Sequence, residues 1–548
     1  MNLPVAVHTP DQEKTYRESG AWPQFTLADK VRQWASERPD SLAVVDGTDG
    51  REVTFGRLCV DASRVAGWLR DQGIGAGDGV SVQLPNRYET VVMYTAASMV
   101  GARLNPLLPN YRRRELSHFL RVSRARVYVT PAVYRGFDHA ALAAELLDEL
   151  DNSFIHVVVD QEAHGHDAVS LSDLLGSAPL ETFPVVSPAA VSELIFTSGT
   201  ESQPKAVMHT EETVNHSARA SYDHLGLTVG DVVWMPSPVG HSTGFNFGVR
   251  LALIHGLPVV LQDRWEASRA AELIEKHRCT YTLAASTFLT DLLRAAREDG
   301  RDISSMRFFG CGGAPVASEL VREAASIGVN VLRIYGSTEG LIISWNQISS
   351  PRSKREGTDG LPPEQTSVAV WDDDGRPLGM NEVGELAVKG PNVCVGFFDD
   401  PVRTAATFTP DGWLRSGDLG VVDEDGYVTV VGRKKETIIR GGLNIAPREI
   451  EDVLVEMPGV RDVAVVGVAD PRLGEIVGVY LVPEPPAQPT LEDVVAYLSA
   501  REMAKYKLPQ YIQLIDELPR TPTGKVRKTE LATRANQERS ASRDDAAH

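Results

Sequence analysis

Thr197-Ser198-Gly199-Thr200-Glu201-Ser202-Gln203-Pro204-Lys205 is the stretch on which the reading of this chain turns. It follows Leu194-Ile195-Phe196, a short apolar run that reads as a buried strand. It precedes Glu211 to Gly226, where Val214, Ala218, Tyr222 and Leu225 recur at helical spacing. Small hydroxyl residues and a glycine between strand and helix, closed by a lysine, suit a polyphosphate. Backbone N–H groups and hydroxyls wrap phosphate oxygens, and the lysine supplies a point charge. An ordinary polar turn has the same composition, and the G-x-x-x-x-G-K-[ST] spacing of the common nucleotide loop is absent. The stretch takes its meaning from its surroundings.

Working outward, strand-like and helix-like segments alternate. Leu42 to Val45, Gly79 to Leu84, Ala125 to Thr130 and Phe154 to Val159 read as strands; Thr54 to Gln72 and Glu89 to Gly101 read as helices. A second set runs from Val232 to about Leu341. Such alternation predicts an α/β fold with two doubly wound subdomains. From about Gly360, short strands between Gly, Pro and Asp turns predict a small β-rich subdomain. After Gly432 a small α+β unit begins, and the polar tail from about Gln537 reads as disordered. The expected division is a domain over 1–432, a hinge over 433–436 and a C-terminal domain over 437–548. Gly432-Arg433-Lys434-Lys435-Glu436 suits either an exposed turn or a hinge.

At 548 residues the chain exceeds a single core. A hydrophobic content of 42% with 24% charged residues is that of a soluble globular protein. The formal net charge of −19 argues against a general nucleic-acid surface. Cys59, Cys279, Cys311 and Cys394 are scattered, without metal or redox spacing, which fits reduced buried thiols. The apolar stretch Thr90 to Ala102 is too short to span a bilayer, and Met1 to Lys14 carries no signal-peptide pattern. A cytoplasmic protein without membrane insertion is expected.

Five further segments share the first one's chemistry. Gly310-Cys311-Gly312-Gly313-Ala314-Pro315 follows a strand, and its glycines let a flat group approach the backbone. Tyr335-Gly336-Ser337-Thr338-Glu339-Gly340 puts a hydroxyl and a carboxylate at a strand's C-terminal end, which suits a phosphate with Mg²⁺. Asp418, in Trp413-Leu414-Arg415-Ser416-Gly417-Asp418, reads first as a turn former; a fixed carboxylate there also suits two ribose hydroxyls. The stretch from Gly432 to Glu451 has a cationic start and the pair Gly441-Gly442. Pro519-Arg520-Thr521-Pro522-Thr523-Gly524-Lys525 places a lysine on a Pro/Gly-rich loop.

Together these segments resemble the adenylate-forming superfamily of acyl-CoA synthetases, nonribosomal adenylation domains and beetle luciferases. The resemblance spans nearly the whole chain in the family's order. It implies a two-step reaction: ATP and a carboxylate form an acyl-adenylate and pyrophosphate, and a thiol then takes the acyl group. It implies ATP, Mg²⁺ and CoA as co-substrates and cofactors, and a small carboxylic acid as partner.

By the same resemblance Thr197, Ser198, Gly199, Thr200 and Lys205 hold phosphates, and Lys525 and Thr338 contact the reacting α-phosphate. Glu339 and Thr200 hold Mg²⁺. Gly312, Gly313, Ala314 and Tyr335 enclose adenine, and Gly336 belongs to the same cofactor-binding set. Asp418 takes the ribose, with Arg433 beside it. Lys435 matches the hinge position; rotation there withdraws Lys525 and brings Gly441, Gly442 and Asn444 toward a pantetheine tunnel. His241 is either a buried core histidine or a gate to that tunnel. Glu201, Ser202 and Ala206 depart from the family's loop, and Glu201 is expected to point outward.

Pro236 to Phe245 matches the segment flanking the acyl pocket, with Val239, His241, Phe245, Cys311 and Leu341 expected near the acyl group. Amino-acid-activating relatives commonly place an aspartate where Ser242 stands, so a buried ammonium would lack a countercharge. The segment looks most like ligases for alicyclic, aromatic or medium-chain acids. The acceptor is CoA or a separate carrier protein, with CoA favoured, and dimers are common in the family. The alternatives are an adenylating enzyme serving another nucleophile, including nitrite-type oxyanion activation, and a non-catalytic sensor. Retention of Lys525, Glu339, Asp418 and Lys205 argues against the sensor.

Overall fold

The computed structural model describes residues 7–151, 153–159, 168–197, 204–312, 318–521 and 525–546, with backbone alone for 318, 319 and 540–546. Its two large sheets are each flanked by helices, as the alternation predicts. One runs Lys205–Thr210, Val191–Thr197, Arg103–Pro106, Gly79–Val82, Ala125–Pro131, Ile155–Val159, Val169–Ser170 in spatial order. Its central strands are parallel. The helix Tyr88–Val100 is apolar on nearly every face because protein covers it all round. It stops at Gly101, whose φ of +73° an L side chain rarely adopts.

The second sheet runs Leu341–Trp345, Asn330–Ser337, Phe308–Gly312, Tyr281–Leu283, Val233–Met235, Val259–Leu261, Leu42–Asp46, Glu52–Thr54. Leu42–Asp46 therefore belongs here, pairing Val44 with Val259, rather than with the strands that follow it in sequence. The pairing spans more than two hundred residues, so no local pattern announces it.

A four-stranded antiparallel sheet, Ser367–Trp371, Gly384–Lys389, Leu414–Val422, Val428–Arg433, forms the β-rich unit. The N-terminal segment straps it to the rest. His8 bonds the Val393 carbonyl at 3.0 Å, Trp22 Nε1 donates to the Pro391 carbonyl at 2.8 Å, and Arg17 pairs with Glu212 at 2.8 Å.

One turn, Lys434–Glu436, joins that sheet to the C-terminal unit. There Leu443–Ile445, Ile438–Arg440, Gly474–Pro483 and Val460–Asp470 form a sheet, and Tyr511–Leu514 adds parallel to Gly474–Pro483. The last helix, Lys528–Ala546, continues across the polar stretch read as disordered. Glu538 there pairs with Arg534 at 3.0 Å and accepts from the Tyr511 hydroxyl at 2.6 Å. Buried Leu531 and Ala535 anchor the start of this helix in the core, and these polar contacts carry it on to Glu538.

Candidate active site

The site lies at strand ends where the two large sheets meet the small one. The expected strand–loop–helix arrangement around the opening stretch is corrected here. Lys205–Thr210 is a strand antiparallel to Val191–Thr197, with Thr197 opposite Lys205, and the helix Glu211–Leu225 begins only beyond it. The stretch therefore connects two paired strands as a hairpin, and the helix that follows starts a strand's length away. Residues Ser198, Gly199, Thr200, Glu201 and Ser202 lie outside the described residues, as do Gly313 and Ala314, so the expected direction of Glu201 does too. At the tip's edge, Thr197 Oγ1 is buried without a partner among the described residues. Ala206 occupies ordinary strand backbone opposite Phe196, so alanine fits where relatives carry glycine.

Tyr335 to Leu341 is a second hairpin tip, between Asn330–Ser337 and Leu341–Trp345. Its turn is anchored on several sides. Gly340 N–H donates to Ser337 Oγ at 3.0 Å, Cys394 N–H to the Glu339 carbonyl at 2.8 Å, and Asn392 Nδ2 to the Gly340 carbonyl at 2.6 Å. Glu339 forms an ion pair with Lys205 across the gap between the tips. Burial would push its carboxyl up, but Lys205, with help from Lys525, outweighs burial and holds it below the ordinary range. The Lys205 ammonium also sits 4.9 Å from the Phe397 ring centre.

Asp418 is a strand residue, not a turn former. It lies in Leu414–Val422, directly opposite Arg433 in Val428–Arg433. Arg433 Nε reaches one carboxylate oxygen at 3.1 Å and the Tyr335 hydroxyl donates to the other at 2.9 Å. Burial raises the Asp418 carboxyl, and Arg433 and Tyr335 offset this only in part. The same burial, then the Asp418 charge, pushes the Tyr335 phenol far up, so it stays a donor.

Lys525 comes from the C-terminal unit and faces the same charges. The crowding of protein about it and Arg433 lower its ammonium, against Asp418, Glu339 and Glu436, while the side chain keeps an open solvent face. Thr521 holds its turn: Thr521 N–H donates to the Lys525 carbonyl at 2.7 Å and Lys525 N–H to the Thr521 hydroxyl at 3.1 Å. His241 feels Lys525 too; burial first and that charge second lower it to about 4. Its Nδ1 accepts from Thr243 N–H at 3.2 Å, which leaves the ring proton on Nε2.

Lys205, Ser337, Glu339, Arg415, Ser416 and Lys434 line an open cleft of about 320 Å³. Glu385 orders its cations, meeting Arg415 Nη2 at 2.9 Å and Lys434 Nζ at 3.5 Å. Gly312 and Gly336 border the site for reasons of packing. A Cβ on Gly312 would come within 2.5 Å of the Ile334 side chain, and one on Gly336 within 2.3 Å of the Leu341 carbonyl.

Val239, Phe245, Cys311 and Leu341 are all at most 2% exposed. Ser242 accepts from Asn246 Nδ2 at 3.1 Å, and Asn246 also donates to buried Glu193. Gly441, Gly442 and Asn444 stand apart, on the exposed hairpin Ile438–Arg440 / Leu443–Ile445.

Sequence reasoning missed three groups. Glu385 lies in an ordinary strand pattern. Arg250 is buried between Glu193 at 2.6 Å and Glu211 at 2.5 Å, a cluster whose members are too far apart in sequence to suggest one another. His209 bonds the Thr338 carbonyl at 2.8 Å.

Lys205 with Glu339, Tyr335 and Arg433 with Asp418, and Lys525 thus gather at the strand ends, the arrangement expected of an adenylate-forming ligase. The chain belongs to the AMP-binding enzyme family: that family's model matches residues 31–398, and the model of the AMP-binding enzyme C-terminal domain matches residues 449–525. It is 38% identical over 530 residues to a medium-chain fatty-acid–CoA ligase of Escherichia coli K12, covering 96% of this chain and 94% of that one. It is 32% identical to a salicylyl-CoA synthase / salicylate adenylyltransferase of a Streptomyces species, covering 94% and 95%. Among solved structures it resembles ATP-bound MatB from Rhodopseudomonas palustris, with a TM-score of 0.83, 27% identity and coverage of 93% and 99%.

Proposed function

We propose that this protein is an AMP-forming acid–CoA ligase that activates an uncharged-tailed carboxylic acid of medium-chain, alicyclic or aromatic type. The observation that carries the reading is that Lys205–Glu339, Tyr335–Asp418–Arg433 and Lys525 come together, with Lys525 within electrostatic reach of Glu339, Asp418 and Arg433. A carboxylate attacking an α-phosphate meets like-charge repulsion. Lys525, Thr338 and Lys205 offset the charge that develops there. Asp418 accepts from the ribose hydroxyls, with Arg433 and Tyr335 fixing its two oxygens, and Tyr335 with the Gly312 edge receives the adenine.

The residues suit Mg²⁺. Glu339 offers an ionised carboxylate paired with Lys205, and Thr197, opposite Lys205 in the strand pair, has a buried hydroxyl without a partner among the described residues; Mg²⁺ commonly takes one or two carboxylates with substrate phosphates. Glu339, with Thr200, would hold the ion, which supplies charge neutralisation on the phosphates. Thioester formation follows once the C-terminal unit turns about Lys434–Glu436, bringing Gly441, Gly442 and Asn444 to the CoA thiol.

The acid class follows from the residues expected near the acyl group. Val239, Phe245, Cys311 and Leu341 are apolar, and Glu193, the carboxylate near Ser242, is committed to Arg250 and Asn246. An α-ammonium would therefore be buried without a countercharge.

A panel of acids with ATP, scored for pyrophosphate and for thioester with and without CoA, tests the reading. Adenylation without thioester would move the acceptor to a carrier protein or another nucleophile. Lys525→Ala is expected to lose adenylation yet keep thioester formation from supplied acyl-adenylate; intact adenylation in that variant would overturn the assignment.

A further inference from the structure

The strand Lys205–Thr210 carries more than its lysine. Alternate residues of a strand share a face, so Lys205, Val207 and His209 point the same way. Val207 packs in the core that also holds Tyr335 and Ile343. The two polar ends of this face grip the other hairpin tip at adjacent residues: Lys205 takes the Glu339 carboxylate, and His209 takes the Thr338 carbonyl at 2.8 Å.

The roles within the second bond are fixed by chemistry. A carbonyl can only accept, so His209 Nε2–H donates. The ring's Nδ1 then accepts from the Thr213 hydroxyl, 3.0 Å away. Thr213 lies in the first turn of the following helix and itself caps it, receiving the Thr210 N–H at 3.1 Å. His209 is fully buried, so its ring cannot turn to water instead. The other anchors of the Thr338–Gly340 turn come from Ser337, Asn392 and Cys394. Among the described residues His209 alone ties the turn's backbone to the strand that carries Lys205.

We propose that His209 is a positioning residue for the adenylation step. It locks the Thr338–Glu339 turn to the Lys205 strand, so that the phosphate-facing groups of both tips keep one relative placement. The inference rests on the reading of the site given above. A displacement of about 1 Å in such groups costs on the order of 100-fold in rate. An unmade bond here also leaves the part-buried Thr338 carbonyl without its His209 donor, which favours a shifted turn.

His209→Leu removes the donor at similar bulk, and His209→Gln keeps a donor at similar reach. The two half-reactions are measured separately: pyrophosphate release at saturating ATP and acid, and thioester formation from supplied acyl-adenylate. His209→Leu is expected to lower the first by ~10- to 100-fold, with KM for ATP and acid within about threefold and the second half-reaction within about twofold. His209→Gln is expected to recover about tenfold of the loss. Equal loss in both half-reactions with a lowered urea midpoint, an unimpaired His209→Leu, or no rescue by glutamine would each overturn the role. A wild-type protein that releases pyrophosphate with no acid of the panel would instead sink the reading of the site, and the inference with it.

Discussion

Replacing Arg448 by alanine isolates what holds the C-terminal unit in its present position. Four charges meet at that boundary: Arg333 and Asp359 from one side, Arg448 and Asp452 from the other. Arg333 pairs with Asp359 at 3.0 Å, Arg448 reaches the same oxygen at 3.7 Å, and Arg448 meets Asp452 at 3.8 Å. Asp359 also accepts from Val430 N–H at 2.9 Å, so it keeps partners when Arg448 is removed. Burial raises the Asp452 carboxyl, and Arg448 is the strongest influence pulling it back. Two unit charges at that separation attract by about 4.5 kcal/mol at an effective dielectric of about 20. Arg448 is 18% exposed, and desolvation cancels much of the attraction, leaving about 1–2 kcal/mol. That corresponds to roughly a 5- to 30-fold shift between the two placements of the C-terminal unit. Arg448→Ala is therefore expected to slow adenylation by roughly this factor, while thioester formation from supplied acyl-adenylate is unchanged or faster. Adenylation by the wild-type protein should also fall more steeply than the variant's as salt rises from about 0.05 M to about 0.5 M. Equal slowing of both half-reactions, or adenylation indifferent to the substitution, would refute the latch.

Tyr335→Phe removes one of the two hydrogen-bonded supports of Asp418 and leaves the ring. A bond to a charged group contributes about 1.5–3 kcal/mol, so KM for ATP should rise by roughly 10- to 100-fold with the acid's KM unchanged; equal KM values would show the hydroxyl to be idle. Acid stability follows from histidines buried away from the site. Burial lowers His139, His156 and His216 to about 4 each, below an unfolded value of about 6.5. The unfolded chain thus binds more protons between those limits, and stability is present above about pH 6.5 and lost as pH falls toward 4. At pH 5 the loss is about 2 kcal/mol per ring, so urea midpoints should drop sharply between pH 6.5 and 5; a flat profile would contradict it.

The site was legible in the sequence because its residues come in short runs at strand ends. Thr338-Glu339 and Gly524-Lys525 each state their chemistry within a few positions. The α/β layering was legible for a similar reason, since apolar periodicity is local. What escaped was decided by distant partners. Lys205–Thr210 reads as a polar approach to a helix; it becomes a strand because Val191–Thr197 lies beside it and Phe397 bridges Val207 from the other side. Asp418 follows a glycine and looks like a turn, and only its register opposite Arg433 makes it a strand residue. Arg250, Glu193 and Glu211 carry no motif, and their burial is tolerable only because they meet.

The hairpin geometry changes how phosphate charge must be met. The helix Glu211–Leu225 begins only beyond the strand Lys205–Thr210, so its N-terminal macrodipole lies a strand's length from that hairpin's tip, and on the proposed reading point charges do more of the work there. Each of those charges is already paired: Lys205 with Glu339, Arg415 and Lys434 with Glu385, Arg433 with Asp418. The carboxylates hold long, flexible cations in place before any nucleotide arrives, which lowers the side-chain entropy that binding must remove. The same pairing sets a cost, because an incoming phosphate competes with Glu339 for Lys205. A divalent cation, held as proposed above by Glu339, would relieve that competition by neutralising the carboxylate and leaving the lysine to phosphate. The Lys205–Glu339 pair between the two hairpins thus both orders a cation and sets the competition that nucleotide binding must meet.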